Sequence, residues 1–276
     1  MIERARFVRL MPAAGLAALL LAGCGAMNAE RAADLEFTAG APSNIASLTQ
    51  VIQANPGDPA GYNVRGAAYG RAGQTDLAIA DFTTALQLDP NFHEAYANRA
   101  LIYRQTGQVE PALADYNRAI QAAPNYSTAY VGRGNIYRQS GRYDLAIADF
   151  DQAVSLRVDD AQAYHNRGLT YQALGQHDRA VDDFTSAIGI DASVPEPFIA
   201  RGQSHLAIND VDAAKSDLDF AVSYAPENSF AWANRGVAYE RAGEIDKARN
   251  YYSRAAQLDS GSTLAREGLA RVGAPA

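Results

Sequence analysis

From Pro59 to Ser262, apolar and small residues recur at spacings of three and four in two blocks, and the two-block pattern repeats every 34 residues. In the stretch 127–160 the first block is Ala129, Tyr130, Gly134 and Tyr137. The second is Tyr143, Ala146, Ile147, Phe150, Ala153 and Val154. Such spacing puts each block on one face of a helix, so every unit predicts two amphipathic helices. Between them stands Gly73, Gly107, Gly141, Gly175 or Gly243, with Asn209 in the fifth unit. Gly and Asn tolerate the left-handed conformation that ends a helix. Asp89-Pro90, Ala123-Pro124 and Ala225-Pro226 stop the second helix, because the residue before proline is pushed out of helical geometry. Asn91, Asp160 and Asn228 then offer N-caps to the next unit.

Six copies run in register without insertion: 59–92, 93–126, 127–160, 161–194, 195–228 and 229–262. Three columns are small: Gly66, Ala100, Gly134, Gly168, Gly202, Gly236; Ala78, Ala112, Ala146, Ala180, Ala214, Ala248; and Ala85, Ala119, Ala153, Ala187, Ala221, Ala255. Small residues let two helix backbones approach, and large residues at fixed places fill the space above them. Those on the first helix are Tyr62, Tyr96, Tyr130, Tyr164, Phe198 and Trp232, followed two turns later by Tyr69, Tyr103, Tyr137, Tyr171, His205 and Tyr239. Phe82, Tyr116, Phe150, Phe184, Leu218 and Tyr252 stand on the second. A fixed period of this kind predicts a stacked array, each unit burying its apolar face against its neighbours. The order aromatic, small, aromatic, Ala, aromatic, Ala, Pro resembles the tetratricopeptide repeat over 204 of 276 residues. The resemblance implies an all-α, right-handed solenoid of antiparallel helix pairs.

Two further columns are charged. Arg65, Arg99, Arg133, Arg167, Arg201 and Arg235 precede the small residue in every unit. Asp81, Asp115, Asp149, Asp183 and Asp217 follow sixteen residues later, with Tyr251 in the sixth. Matched numbers at a fixed offset favour an ion pair tying the two helices of each hairpin over a basic ridge for an anionic ligand. Exposed, such a pair contributes about 0–1 kcal/mol.

The ends differ from the array. Arg4, Arg6 and Arg9 precede an apolar stretch, Leu10 to Ala22, that is too short for a membrane span and reads as an export signal over 1–23. It closes on Leu21-Ala22-Gly23-Cys24, holding the chain's single cysteine, and resembles the bacterial lipoprotein cleavage box. That resemblance implies lipidation of Cys24 as the mature N-terminus. With Gly25 rather than Asp following, it implies an outer-membrane anchor facing the periplasm. A linker fills 24–40. Ile45, Leu48, Val51 and Ile52, ahead of Pro56, match the second helix of a repeat and predict an N-terminal capping half-repeat over 41–58. Leu264, Leu269 and Val272, set among Arg266, Glu267 and Arg271, predict a C-terminal capping helix in 263–276 with one wet face.

The whole chain carries a formal charge of −7, and without residues 1–23 it has 21 basic and 30 acidic residues, near −9. That balance argues against nucleic acid and anionic wall polymers as charge-driven ligands. His93, His165, His177 and His205 are not at metal-ligand spacing. Gly132-Arg133-Gly134 lacks the third Gly of a dinucleotide loop. No nucleophile motif is present, and neither an enzyme activity nor a cofactor is expected.

In tetratricopeptide arrays the first helices line a concave groove. The resemblance therefore implies a partner-binding surface of Arg71, Arg104, Gln105, Asn135, Arg138 and Gln139 above, and His165, Leu169, Gln172, Gln203, Glu240 and Arg241 below. The chaperone-binding subfamily's carboxylate clamp is not carried over, since its first Lys column reads Asn63, Ala97 and Val131. The lipobox, short linker and repeat style resemble the NlpI-type lipoproteins, which implies an adaptor joining envelope peptidoglycan hydrolases to a periplasmic protease. A type IV pilus pilotin, also a lipidated array, and a structural envelope protein without a client are the alternatives. A homodimer stays open.

Overall fold

The computed structural model describes residues 42–273, which form fourteen helices and no strand. Helix α1 (Pro42–Ala54) precedes six pairs: α2 (Pro59–Arg71) with α3 (Thr75–Leu88), α4 (His93–Gln105) with α5 (Val109–Ala122), and α6 (Ser127–Gln139) with α7 (Tyr143–Leu156) come first. Then follow α8 (Ala161–Ala173) with α9 (His177–Ile190), α10 (Pro195–Ala207) with α11 (Val211–Tyr224), and α12 (Ser229–Arg241) with α13 (Ile245–Leu258). Helix α14 (Thr263–Val272) closes the array. The six pairs are the six units of the sequence, and the architecture is an all-α repeat solenoid. The export signal, Cys24 and the linker lie outside the described residues.

Each hairpin turns where the pattern breaks. Gly73, Gly107, Gly141, Gly175 and Gly243 take φ between 70° and 77°, and Asn209 takes 64°. The closure is a Schellman turn: in the third unit the Gly141 N–H bonds Arg138 O at 3.1 Å and the Arg142 N–H bonds Tyr137 O at 2.8 Å. Asp160 and Asn228 cap their helices through the N–H groups of Ala163 and Ala231. Asn91 does not cap α4. There the N-cap is Phe92, without a side-chain bond, and Asp89 Oδ1 accepts the Asn91 N–H at 2.9 Å. The Asp before proline folds back on the turn and satisfies that N–H before the helix begins.

The small columns admit the second helix. A Cβ on Gly66, Gly134, Gly168, Gly202 or Gly236 would fall 2.6–2.8 Å from Phe82, Phe150, Phe184, Leu218 or Tyr252 of the same hairpin. Three of the first-helix aromatics also hold the loop before them: Tyr62 and Tyr130 hydroxyls and Trp232 Nε1 donate to the carbonyls of Pro56, Pro124 and Pro226. An amphipathic ring thus packs and anchors a turn together.

The Arg and Asp columns meet in five bidentate pairs, each with two hydrogen bonds of 2.7–2.9 Å. Their carboxylates keep only 6–9% of side-chain exposure. Each arginine also reaches back sixteen residues into the preceding unit, where Nη1 donates to Thr49, Thr83, Asn117, Asp151 or Thr185. One guanidinium therefore ties three helices, and the pairs link units as well as hairpins.

The ends depart in detail. On α1, Ile52 is buried but Val51 is 57% exposed. It stands in the third small column, and no helix among the described residues covers that side. At the other end Arg249 donates to the carbonyls of Val272 and Gly273 and closes α14 onto α13. Arg266, Glu267 and Arg271 face water while Ala265, Gly268 and Val272 are buried, as a capping helix requires. Among the described residues no helix is long and apolar enough to cross a membrane.

Candidate functional site

First helices pack against the first helices of adjacent units as well as against their own partners, whereas second helices show no matching contact with one another. The first helices therefore stand on the tighter, inner side of the array. Their last turns put Gly70, Arg104, Arg138, Gln172, Leu206 and Glu240 in one column along that side. One turn earlier come Ala67, Leu101, Asn135, Leu169, Gln203 and Val237.

The lower half of this column is occupied by the protein itself. Gln172 Nε2 donates to Ala200 O and Ser204 Oγ of the next unit at 2.8 and 2.9 Å. Gln203 donates to Asn234, and Arg241 reaches back to Leu206 O at 2.7 Å. Glu240 accepts from Arg271 and from the Tyr252 hydroxyl. Four residues expected to face a partner are thus ties between successive units, since a long polar side chain on a tight inner face meets its neighbour's backbone before it meets solvent. The Arg271 guanidinium holds the Glu240 carboxyl below the usual carboxylate range, and the Tyr252 hydroxyl adds to this.

The upper half is open. Arg71, Gln105 and Gln139 are exposed, Arg104 and Arg138 half-buried, and Asn135 is buried at 8% exposure. Arg104 Nε, Arg138 Nε and Asn135 Oδ1 are shielded and have no hydrogen-bond partner. Among the described residues neither Arg71, Arg104 nor Arg138 has a carboxylate within ion-pair distance, whereas each arginine of the column from Arg65 to Arg235 does. Burial lowers the Arg138 pKa, and the neighbouring Arg104 charge lowers it further. His165, on the next first helix, is likewise lowered by burial, with Glu196 opposing and Arg138 adding to the shift; its Nδ1 has no partner. A cavity of about 170 Å³ opens above, between the first two units, and includes Arg71, Asn98, Leu101 and Gln105 in its lining.

Two inner-face features were missed by the sequence reading. The Tyr116 hydroxyl reaches the Arg104 guanidinium. It can do so because Gly132 of the next unit lies beneath the ring, where a Cβ would come 2.3 Å from Tyr116 Cζ. Tyr252 and Gly268 repeat the arrangement one end further on, at 2.4 Å, with the hydroxyl on Glu240. The signal is in the sequence: within the large column of the second helix only Tyr116 and Tyr252 bear a hydroxyl, and each is followed by Gly sixteen residues later.

No group of three or more His, Cys, Asp or Glu residues that could hold a metal ion occurs among the described residues. The surroundings of the groove offer hydrogen bonds, positive charge and apolar patches.

Family models bear on the same stretch. A tetratricopeptide repeat model matches residues 63–127 and 199–263, a TPR repeat model 134–175, and a second tetratricopeptide repeat model 161–193. No curated protein matches the chain by sequence. Solved structures share its fold. A chain of the APC/C hetero-tetramer Cut9–Hcn1 aligns with a TM-score of 0.73 at 16% identity, over 87% of this chain and 48% of that one. The present chain thus spans about half of that relative. Pseudomonas aeruginosa pilF aligns at 0.71 with 18% identity, over 77% of this chain and 97% of its own. PilW, described as a widely conserved type IV pilus biogenesis factor, aligns at 0.69 with 17% identity, over 75% and 96%. With repeat models matched from residue 63 to residue 263 along the six helix pairs, the chain is a tetratricopeptide-repeat protein.

Proposed function

We propose that this chain is a lipid-anchored adaptor of the bacterial envelope, tethered through Cys24 at the outer membrane and binding other envelope proteins along the upper half of its inner groove. The tetratricopeptide fold is a protein-interaction scaffold, and one observation carries the choice of surface. Gln172, Gln203, Glu240 and Arg241 are committed to ties within the array, whereas Arg104, Asn135 and Arg138 present shielded polar atoms with no internal partner. A partner placed there would supply the missing acceptors and donors.

The test is photo-crosslinking in envelope membranes from Gln105 and Gln139, with Arg118 on an exposed second-helix face as control. A partner captured from the two groove positions and not from Arg118 is the expected result. Capture from Arg118 alone would move the interface to the outer face.

Two kinds of client fit such an adaptor. Hydrolase and protease clients follow from the NlpI-type resemblance. A role in pilus assembly is favoured by the two pilus-related neighbours, 97% and 96% of whose lengths are covered. The identity of the crosslinked protein separates them.

A further inference from the structure

We infer that Arg104 and Arg138 form a subsite for side-chain carboxylates on an extended, acidic segment of the partner. This deepens the groove reading, on which it rests, by naming the chemistry that is recognised.

Arg65, Arg99, Arg133, Arg167, Arg201 and Arg235, all partly buried, each receive a carboxylate from within the chain. Arg104 and Arg138 receive none, although each has its Nε shielded from water. Like charges on the first helices of neighbouring units oppose each other here, and the effect is felt at Arg138. Two half-desolvated guanidiniums without a counter-charge are unfavourable in the free protein. A pair of carboxylates would remove the repulsion and accept hydrogen bonds from planar donors suited to them.

The surroundings select a peptide over a polyanion. Leu101 and Leu169 are half-buried on the same face, so apolar contacts interleave with the charges. Gln105 and Gln139 each follow an arginine and are exposed, placed to bond a peptide backbone. The net charge of −7 gives no long-range attraction for nucleic acid or polyphosphate, so recognition has to be short-range. Arg71, in the Gln105–Gln139 column one unit earlier, adds an exposed positive charge beside the line, where Gly70 takes the place of Arg104. The site differs from a terminal-carboxylate clamp because it lies in the last turn of the helices and needs no chain end.

The test uses the full chain and a displayed library of random dodecapeptides fused at their C-termini, so that side chains supply the only carboxylates. Selection should enrich Asp and Glu. A selected peptide should lose at least tenfold in affinity when its acids become Asn and Gln, and by a similar factor against Arg104→Gln/Arg138→Gln. The two losses should not add when combined, because they remove the same contact. Circular dichroism and melting confirm that the variant is folded; should it fail to fold, Arg138→Gln alone serves, since Gln172 fills the same place one unit on. Selection dominated by neutral peptides, no selection at all, or undiminished binding of acidic peptides to the variant would overturn the inference. Groove crosslinks that persist alongside such a failure leave the adaptor standing and remove the carboxylates; loss of the groove crosslinks removes both.

Discussion

Arg235 lies with its guanidinium carbon 4.0 Å from the centre of the Tyr251 ring, in the one unit where tyrosine replaces the paired aspartate. Without that aspartate, Arg235 turns back to Asp219 of the preceding unit at 2.6 Å, and the Tyr239 hydroxyl bonds the other oxygen of the same carboxylate. The column sixteen residues upstream is a secondary contact in units one to five and the sole carboxylate in unit six. Two substitutions of the same type in that column should therefore differ.

Asp219→Ala leaves Arg235 partly buried without a carboxylate and should cost about 2–3 kcal/mol, somewhat below the loss from breaking a fully buried pair. Asp151→Ala leaves Arg167 its bidentate bond to Asp183 and should cost less than about 1 kcal/mol, as for an exposed pair. Denaturant unfolding of the two variants side by side checks this. Equal losses would mean that the column acts alike in every unit.

The contact between Tyr116 and Gly132 gives a second expectation. Gly132→Ala places a methyl group inside the ring's present position and should destabilise by about 1–3 kcal/mol, as overpacking does. Tyr116→Leu removes the obstructing end of the ring, so the double variant should be more stable than the two single losses predict. Additive losses in a double-mutant cycle would show that the strain lies elsewhere.

These two relationships mark the limit of what the sequence made legible. Helices, breaks and ends could be read because packing within a unit repeats with the period. Gly141 and Asn209 turn where the pattern says, and Asp149 meets Arg133. Ties between units depend on how far one unit is rotated on the next, which no single period encodes. Hence Gln172 reaches Ser204, Arg241 reaches Leu206 and Arg235 changes partner, although each occupies an ordinary place in its column. The upper groove was found through the family resemblance, but its distinction from the lower groove needed the bonds themselves.

Acid should weaken the contact between Glu240 and the C-terminal helix. Arg271 and Tyr252 depress the Glu240 pKa in the fold, so this contact stabilises fully above the unfolded value of about 4.3 and is lost as pH falls through the lower folded value. Melting temperatures measured from pH 6 to 3 should fall less steeply in Glu240→Gln than in the natural chain, starting from a lower value at pH 6. Parallel curves would exclude Glu240 as the acid-sensitive group.

Cys24→Ser tests the anchor. The substitution should prevent lipid attachment and leave the chain unprocessed or released into the soluble fraction, whereas the helical content of the repeats stays unchanged. Fractionation and mass of the mature N-terminus read the result; normal processing with unaltered membrane association would overturn lipidation of Cys24.

The last prediction concerns stability and binding together. Arg138 is half-buried on the inner face, and its charge is opposed by burial and by Arg104. Arg133 and Arg167, which tie helices of the array, each have a carboxylate, and Arg241 has the Leu206 carbonyl; Arg138 Nε has neither. Arg138→Gln retains a polar stem of the kind that Gln172 carries in the following unit and removes the repulsion. It should raise stability by about 0.5–1 kcal/mol, the size of gain found where a functional site holds unfavourable chemistry. The same variant should bind the selected acidic peptide more weakly. Stability and affinity moving in opposite directions in one denaturation and one titration would mark Arg138 as a ligand-binding residue. A fall in both would instead make Arg138 part of the packing and return the basic half of the groove to the structure.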